Sequence, residues 1–177
     1  MVASRFLAAA SAALITWSCT VPQPPAPPPE PAPARAPAAA SGRVGPTEAR
    51  IFNLINAERK RQGLPALEYS RQLDEMARIQ AQNMARFHKM AHVLPQSGLP
   101  TLADRARHVG YMFGRLAENV AHDYPNAQSV VQGWMTSRGH RANILNSDVV
   151  ETGIAIARSD SGGLYYCQVF GRRLGSL

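Results

Sequence analysis

Helical spacing governs the first half of the folded chain. Apolar residues recur at Ile51, Leu54 and Ile55, behind an entry at Pro46-Thr47 and ahead of a stop at Gly63, which predicts a first helix. A second follows, with Ser70 placed to cap it, and Leu73, Met76, Ala77, Gln80, Ala81, Met84 and Phe87 trace one face to about His88. That stripe of methionine and alanine is core, with small residues that allow close packing. Residues 89–100 read as irregular chain. Thr101-Leu102-Ala103-Asp104 then resembles a capping box, with Asp in place of the usual Glu or Gln, opening a short helix that ends near Gly110. Another helix starts near Asn126, turns Val130, Val131, Trp134 and Met135 inward, and stops at Gly139. Beyond it the period changes to two. Residues 152–158 alternate with Ile154 and Ile156 on one side, residues 159–163 supply a turn, and residues 164–170 return as a second strand. A third strand is expected around residues 116–120. The predicted fold class is α+β, with helices early and an antiparallel hairpin late.

The N-terminal pattern is different in kind. Arg5 precedes an apolar stretch, residues 6–17, in which Ser11 and Thr16 are the only polar side chains. It is shorter than the about 20 apolar residues that a spanning helix needs, so it reads as the hydrophobic region of a signal peptide, residues 1–19. Ten prolines between Val21 and Pro46 would separate it from any core, which disfavours a buried N-terminal helix. Cys19 closes the apolar run where bacterial lipoproteins carry their lipid acceptor. Thr16 stands where such a box usually has leucine, with Ile15 one residue further back. Two outcomes are open: lipidation at Cys19, giving a membrane-anchored protein, or cleavage nearby by the ordinary signal peptidase, giving a secreted or periplasmic one. Residues 20–46, Pro and Ala with almost nothing to bury, are expected to form an extended tether. Residues 47–177 form one domain, long enough to bury a core without disulfides.

Charge narrows the partners. From residue 42 onward there are seventeen Lys and Arg against eleven Asp and Glu, a surplus of six, and only Lys60 and Lys89 are lysines. An anionic lipid or an envelope polymer would suit that balance. The arginines are dispersed and no aromatic residues interleave with them, so they read mainly as a solvated surface, and nucleic acid is not expected as a partner. Membrane contact is expected only through a lipid anchor on Cys19, and the domain is expected to be a monomer. With Cys19 and Cys167 as the only cysteines, one disulfide at most is possible, and a partner in the tether makes a poor staple.

The order Leu54-Ile55-Asn56, Arg59, Gly63-Leu64, Leu67, Leu73, Ala77, Met84-Ala85, His92, Glu118-Asn119-Val120, Trp134-Met135, Gly139-His140-Arg141 and Asn143-Ile144-Leu145 resembles the CAP superfamily. That superfamily comprises cysteine-rich secretory, antigen 5 and pathogenesis-related 1 proteins, and this chain is most similar to its bacterial SCP-like members. The resemblance covers nearly the whole domain and implies an α-β-α sandwich. It implies a central cleft holding His92, His140 and Glu118, three of the family's four cleft residues. Where many eukaryotic members carry a second glutamate, this chain has Ser137. Ala117 stands where glycine usually precedes the Glu-Asn pair.

Two imidazoles and a carboxylate make an acceptable zinc set with an open fourth position, so His92 and His140 are candidate metal ligands and a divalent ion such as zinc the candidate cofactor. The spacings, 26 and 22 residues, lack the local pair of a zincin helix. Without the resemblance, His140 reads as a helix C-terminal cation and Glu118 as a structural carboxylate. Ser137 lies three residues before His140 but has no nucleophile-elbow glycines around it, and Cys167 sits among apolar residues, so neither is marked as a nucleophile. His88, His108 and His122 read as surface or capping histidines. The expected function is an exported envelope protein that binds lipid or sterol, a divalent metal or an envelope polymer. The alternative is a metal- or serine-dependent hydrolase of peptide or cell-wall material.

Overall fold

The computed structural model describes residues 44–175. The export segment 1–19, Cys19 and tether residues 20–43 lie outside them. The first helix, α1 (Pro46–Arg61), ends where Gly63 takes φ +71°, and there the N–H groups of Gly63 and Leu64 bond back to Lys60 and Arg59 carbonyls at 3.0 Å. A two-residue strand, β1 (Glu68–Tyr69), leads into α2 (Arg71–Arg86). After the irregular stretch, interrupted by a single 3-10 turn, come α3 (Leu102–His108) and β2 (Phe113–His122). Helices α4 (Ala127–Thr136) and α5 (Arg138–Ile144) follow, then β3 (Glu151–Arg158) and β4 (Leu164–Arg173).

The strands form one sheet in the order β1-β3-β4-β2, with β1 parallel to β3 and the other pairs antiparallel. Along β4 the side chains alternate between two cores, as the pleat demands. Tyr165, Cys167 and Val169 face a core built with Leu73, Met76, Met84 and Ala106 from α2 and α3. Tyr166 and Phe170 face a second, with Ile51, Ile55, Val130, Trp134 and Ile144 from α1, α4 and α5. The sheet is therefore covered on both faces, the α-β-α arrangement that the family resemblance implied.

Most sequence-predicted elements lie where expected, within a few residues at their ends. The capping box at Thr101 is complete, since its hydroxyl accepts the Asp104 N–H at 3.1 Å and the Asp104 carboxylate accepts the Thr101 N–H at 3.0 Å. Three expectations change. Ser70 occupies the N-cap position of α2 without a side-chain cap bond. The pair β1 is additional, too short for any periodic signal. And Gly139 does not end α4. The helix breaks at Ser137, whose extended backbone (ψ 120°) closes α4 and whose carbonyl accepts the Arg141 N–H at 2.8 Å to open α5, placing Gly139 inside the next helix. His140 consequently stands in the N-terminal half of α5, so the reading of it as a C-terminal dipole partner does not hold.

Candidate functional site

Glu118 lies near the middle of β2, an edge strand, and its side chain is 2% exposed. A carboxylate that deep requires partners for both oxygens. Oε2 accepts from Arg105 Nη2 at 2.5 Å, and the Arg105 side chain is itself fully buried. Oε1 faces His92 Nδ1 at 2.9 Å. The Cys167 thiol on β4 lies 3.5 Å from Oε2, and burial, reinforced by that carboxylate, pushes the thiol well above its ordinary pKa. It is thus an inert hydrogen-bonding thiol.

Gln80 ties the first half of the site together. From the buried face of α2 its Nε2 donates to the Ala91 carbonyl at 2.5 Å, fixing the loop that carries His92, and its Oε1 accepts from Arg105 Nη1 at 2.6 Å. One amide therefore positions both the histidine loop and the arginine. The other half is clamped by two asparagines. Asn119 Nδ2 donates to the His140 carbonyl at 3.2 Å, while Asn143 Nδ2 donates to Asn119 Oδ1 at 2.9 Å and to the Glu118 carbonyl at 3.2 Å. Trp134 Nε1 bonds to the Val120 carbonyl at 3.2 Å, seating α4 on the same strand. The far end of α5 is held by the buried Arg59, whose Nη1 caps the Ile144 and Asn146 carbonyls at 2.8 Å each.

His92, with 55% of its side chain exposed, is the solvent-facing member of the Glu118 pair. Its bond to Glu118 raises its pKa above the ordinary imidazole value, against the lowering effects of burial and of Arg105. His140 moves the other way. Burial lowers its pKa, and the charge of His92 lowers it further. The raised value keeps His92 cationic to higher pH than a free histidine, and the lowered one keeps His140 neutral to lower pH.

The expected zinc set fits this geometry only in part. Both Glu118 oxygens are committed, one to an arginine, so the carboxylate does not serve as a ligand, and among the described residues no three His, Cys, Asp or Glu side chains are grouped to hold a metal. His92 and His140 remain as two imidazoles. Ser137, which takes the place of the family's second glutamate, is the hinge between α4 and α5 and makes no side-chain cap bond. His88 and His122 pair with Asp160 and Asp123 at 2.9 and 3.3 Å, away from the Glu118 pair, as surface histidines do.

Sequence reasoning did not name Arg105. Its signal was present: Leu102, Arg105, Ala106 and Val109 share one helical face, so a charge falls on the buried stripe of α3.

A model of the cysteine-rich secretory protein family, CAP, matches residues 52–170. Two Bacillus subtilis proteins, YkwD and the membrane protein YlbC, are each 32% identical to this chain, over 76% and 72% of its length but only 51% and 35% of theirs. The chain thus spans about half of the first of these relatives and less of the second. Among solved structures, an extracellular SCP-domain protein from Bacillus anthracis is 29% identical with a TM-score of 0.66, covering 75% of this chain and 45% of that one. An outer surface protein from Borrelia burgdorferi shares the fold at 20% identity and a TM-score of 0.68, covering 75% of this chain and 96% of its own.

Proposed function

The chain belongs to the cysteine-rich secretory protein (CAP) family, and on that premise we propose that it is an extracytoplasmic binding protein whose cleft of His92, Glu118 and His140 takes an anionic group of a cell-envelope polymer. Location outside the cytoplasm is supported by the export pattern of residues 1–19 and by the extracellular relative from Bacillus anthracis. The observation that carries the ligand class is the enclosure of Glu118 between Arg105 and His92. Its charge is neutralised inside the protein, so an incoming group meets imidazoles rather than a carboxylate. With His92 protonated, the cluster of Arg105, His92 and Glu118 carries one net positive charge, which favours a carboxylate or phosphate.

The test is calorimetric titration of the protein with soluble peptidoglycan fragments bearing free carboxylates, and separately with zinc. Anion binding needs the imidazolium, so affinity falls as pH rises through the raised His92 value. Zinc binding needs neutral imidazoles, so it falls as pH drops. His92→Ala and His140→Ala are expected to abolish fragment binding while leaving the folding transition in place. Unchanged binding in both variants overturns the cleft assignment, and affinity for zinc with none for the fragments overturns the ligand class. The hydrolase alternative retains one supporting observation, the opposed shifts of the two histidines, the arrangement that suits an acid and a base. Mass analysis of the same fragments after incubation distinguishes it, since cleavage products appear only if the cleft is catalytic.

A further inference from the structure

One end of the sheet carries an apolar cluster that the fold does not use. Met112 and Leu174 are 69% and 66% exposed, and Phe113 and Val150 lie beside them at 37% and 38%. They are brought together where β2 begins, β4 ends and β3 begins. Leu174 N–H bonds to the Met112 carbonyl at 3.0 Å, Phe113 pairs with Arg173, and Val150 N–H bonds to the Gly171 carbonyl at 3.0 Å. Four of the seven large apolar side chains exposed among the described residues thus sit at this one edge, whereas singly scattered ones would need no explanation.

The same edge holds an electrostatic conflict. Arg115 and Arg172 are cross-strand partners in the β2–β4 register, and like charges directly opposite repel. Among the described residues neither forms an ion pair. Arg172 instead donates to the Asp148 and Ser147 carbonyls at 2.9 and 3.3 Å, which fixes its guanidinium without cancelling its charge. The neighbouring Arg173 is held by Glu151 and Gln72 and lies over the Tyr111 ring. Arg115, Arg172 and Arg173 line a recess of about 380 Å³ together with Asp148 and the exposed Leu174.

We propose that this end of the sheet docks on the surface of an anionic phospholipid bilayer, with Met112 and Leu174 entering the headgroup boundary while Arg115 and Arg172 face lipid phosphates. A soluble polyanion would satisfy the arginines but would leave the apolar tips in water. A second copy across a two-fold axis would cover the tips but set arginines against arginines. A bilayer with anionic headgroups supplies both an apolar layer and phosphates, at adjacent depths. The proposal concerns a surface built from β2, β3 and β4 termini, distinct from the histidine cleft and from any acyl group on Cys19.

Vesicle co-sedimentation tests it, using the full chain with Cys19→Ser so that no acyl group contributes. The N-terminal apolar stretch is common to every variant, so differences between variants report on the patch. The chain is expected to partition onto phosphatidylglycerol vesicles more strongly than onto phosphatidylcholine vesicles, with the difference shrinking as salt rises. Arg115→Glu should lower the phosphatidylglycerol partition coefficient by about 5-fold or more, the effect of losing one interfacial cation. Met112→Ser combined with Leu174→Ser should lower it at every salt concentration without moving the melting temperature, because both side chains are exposed. His92→Ala should leave it unchanged. Equal partitioning onto the two vesicle types, or patch variants that bind like the parent, overturns the proposal. So does a concentration-dependent dimer that Met112→Ser dissolves, which would make the patch a self-association face.

Discussion

Replacing Arg105 by methionine should produce a large loss of stability and make the remaining stability depend more steeply on pH. The Arg105 and Glu118 side chains are 0% and 2% exposed, with 2.5 Å between Nη2 and Oε2. Removing one member of such a pair leaves a buried charge uncompensated and costs about 3–5 kcal/mol. Against a total stability of about 5–15 kcal/mol for a domain, that is a substantial fraction. Replacing both, as Arg105→Met with Glu118→Leu, removes the stranded charge. What then remains is chiefly Gln80 Oε1 without its donor, a loss of about 1–3 kcal/mol. The double variant should therefore be more stable than Arg105→Met alone.

The pH dependence follows from His92, which becomes the sole cationic partner of Glu118 in Arg105→Met. Its folded pKa is raised above the unfolded value of about 6.5, and loss of Arg105 removes one lowering influence. A raised histidine contributes stability that is complete below the unfolded pKa and is lost as pH rises through the folded one. The penalty of Arg105→Met should thus be smallest below pH 6.5 and grow above it. Urea unfolding of wild type, both single variants and the double variant, at one pH on either side, measures all of this, with an unchanged denaturant slope confirming that the compactness of the states is the same. A penalty below about 1 kcal/mol, or a double variant that loses the sum of its parents, would falsify the ion-pair account.

Nuclear magnetic resonance titration should place the His92 pKa above that of free histidine and the His140 pKa below it, with the His92 value falling in Glu118→Gln; coincident titrations would refute the pairing. Gly153→Ala should destabilise by an amount near the top of the about 1–3 kcal/mol range for overpacking, because a Cβ there would overlap the Leu73 and Asp74 backbone at the start of α2, which cannot swing aside; a neutral melting temperature would show that β3 and α2 can separate. Cys19→Ser should move the protein from the membrane to the soluble fraction of cells or block its processing, and equal fractionation of both forms would point to simple secretion.

Legibility of the fold followed burial periodicity. Helix α2 and strands β3 and β4 declared themselves because each buries a regular set of apolar positions, and α3 did so through its capping box. The misplaced end of α4 has a different cause. Gly139 looked like a stop, but the break is made by the backbone of Ser137, a residue equally at home as a helix cap or inside a turn, and seven residues of α5 are too few to show a period. Of the expected site, the contact of His92 with Glu118 was legible through the family's motif order, which brings residues 26 apart in sequence together without any local spacing rule. Arg105 was not, because composition places arginine outside and only its position on an apolar helical stripe argues otherwise.

The geometry of the sheet edge explains why these motifs interlock. In an antiparallel edge strand every second residue turns its N–H and C=O away from the neighbour, and buried edge groups without partners are costly. Two of the outward carbonyls on β2, those of Glu118 and Val120, are satisfied from helices: by Asn143 on α5 and by Trp134 on α4. A fifth strand would lie where α5 now packs, so the helix takes its place at this edge. The Asn143 bond that protects the edge therefore also fixes α5, the helix that carries His140. The Asn119 amide completes the arrangement by holding the His140 carbonyl from the strand side. Edge protection and site assembly are one set of contacts here, so the Glu-Asn-Val and Asn-Ile-Leu motifs are tied to each other by hydrogen-bond accounting before any ligand is considered.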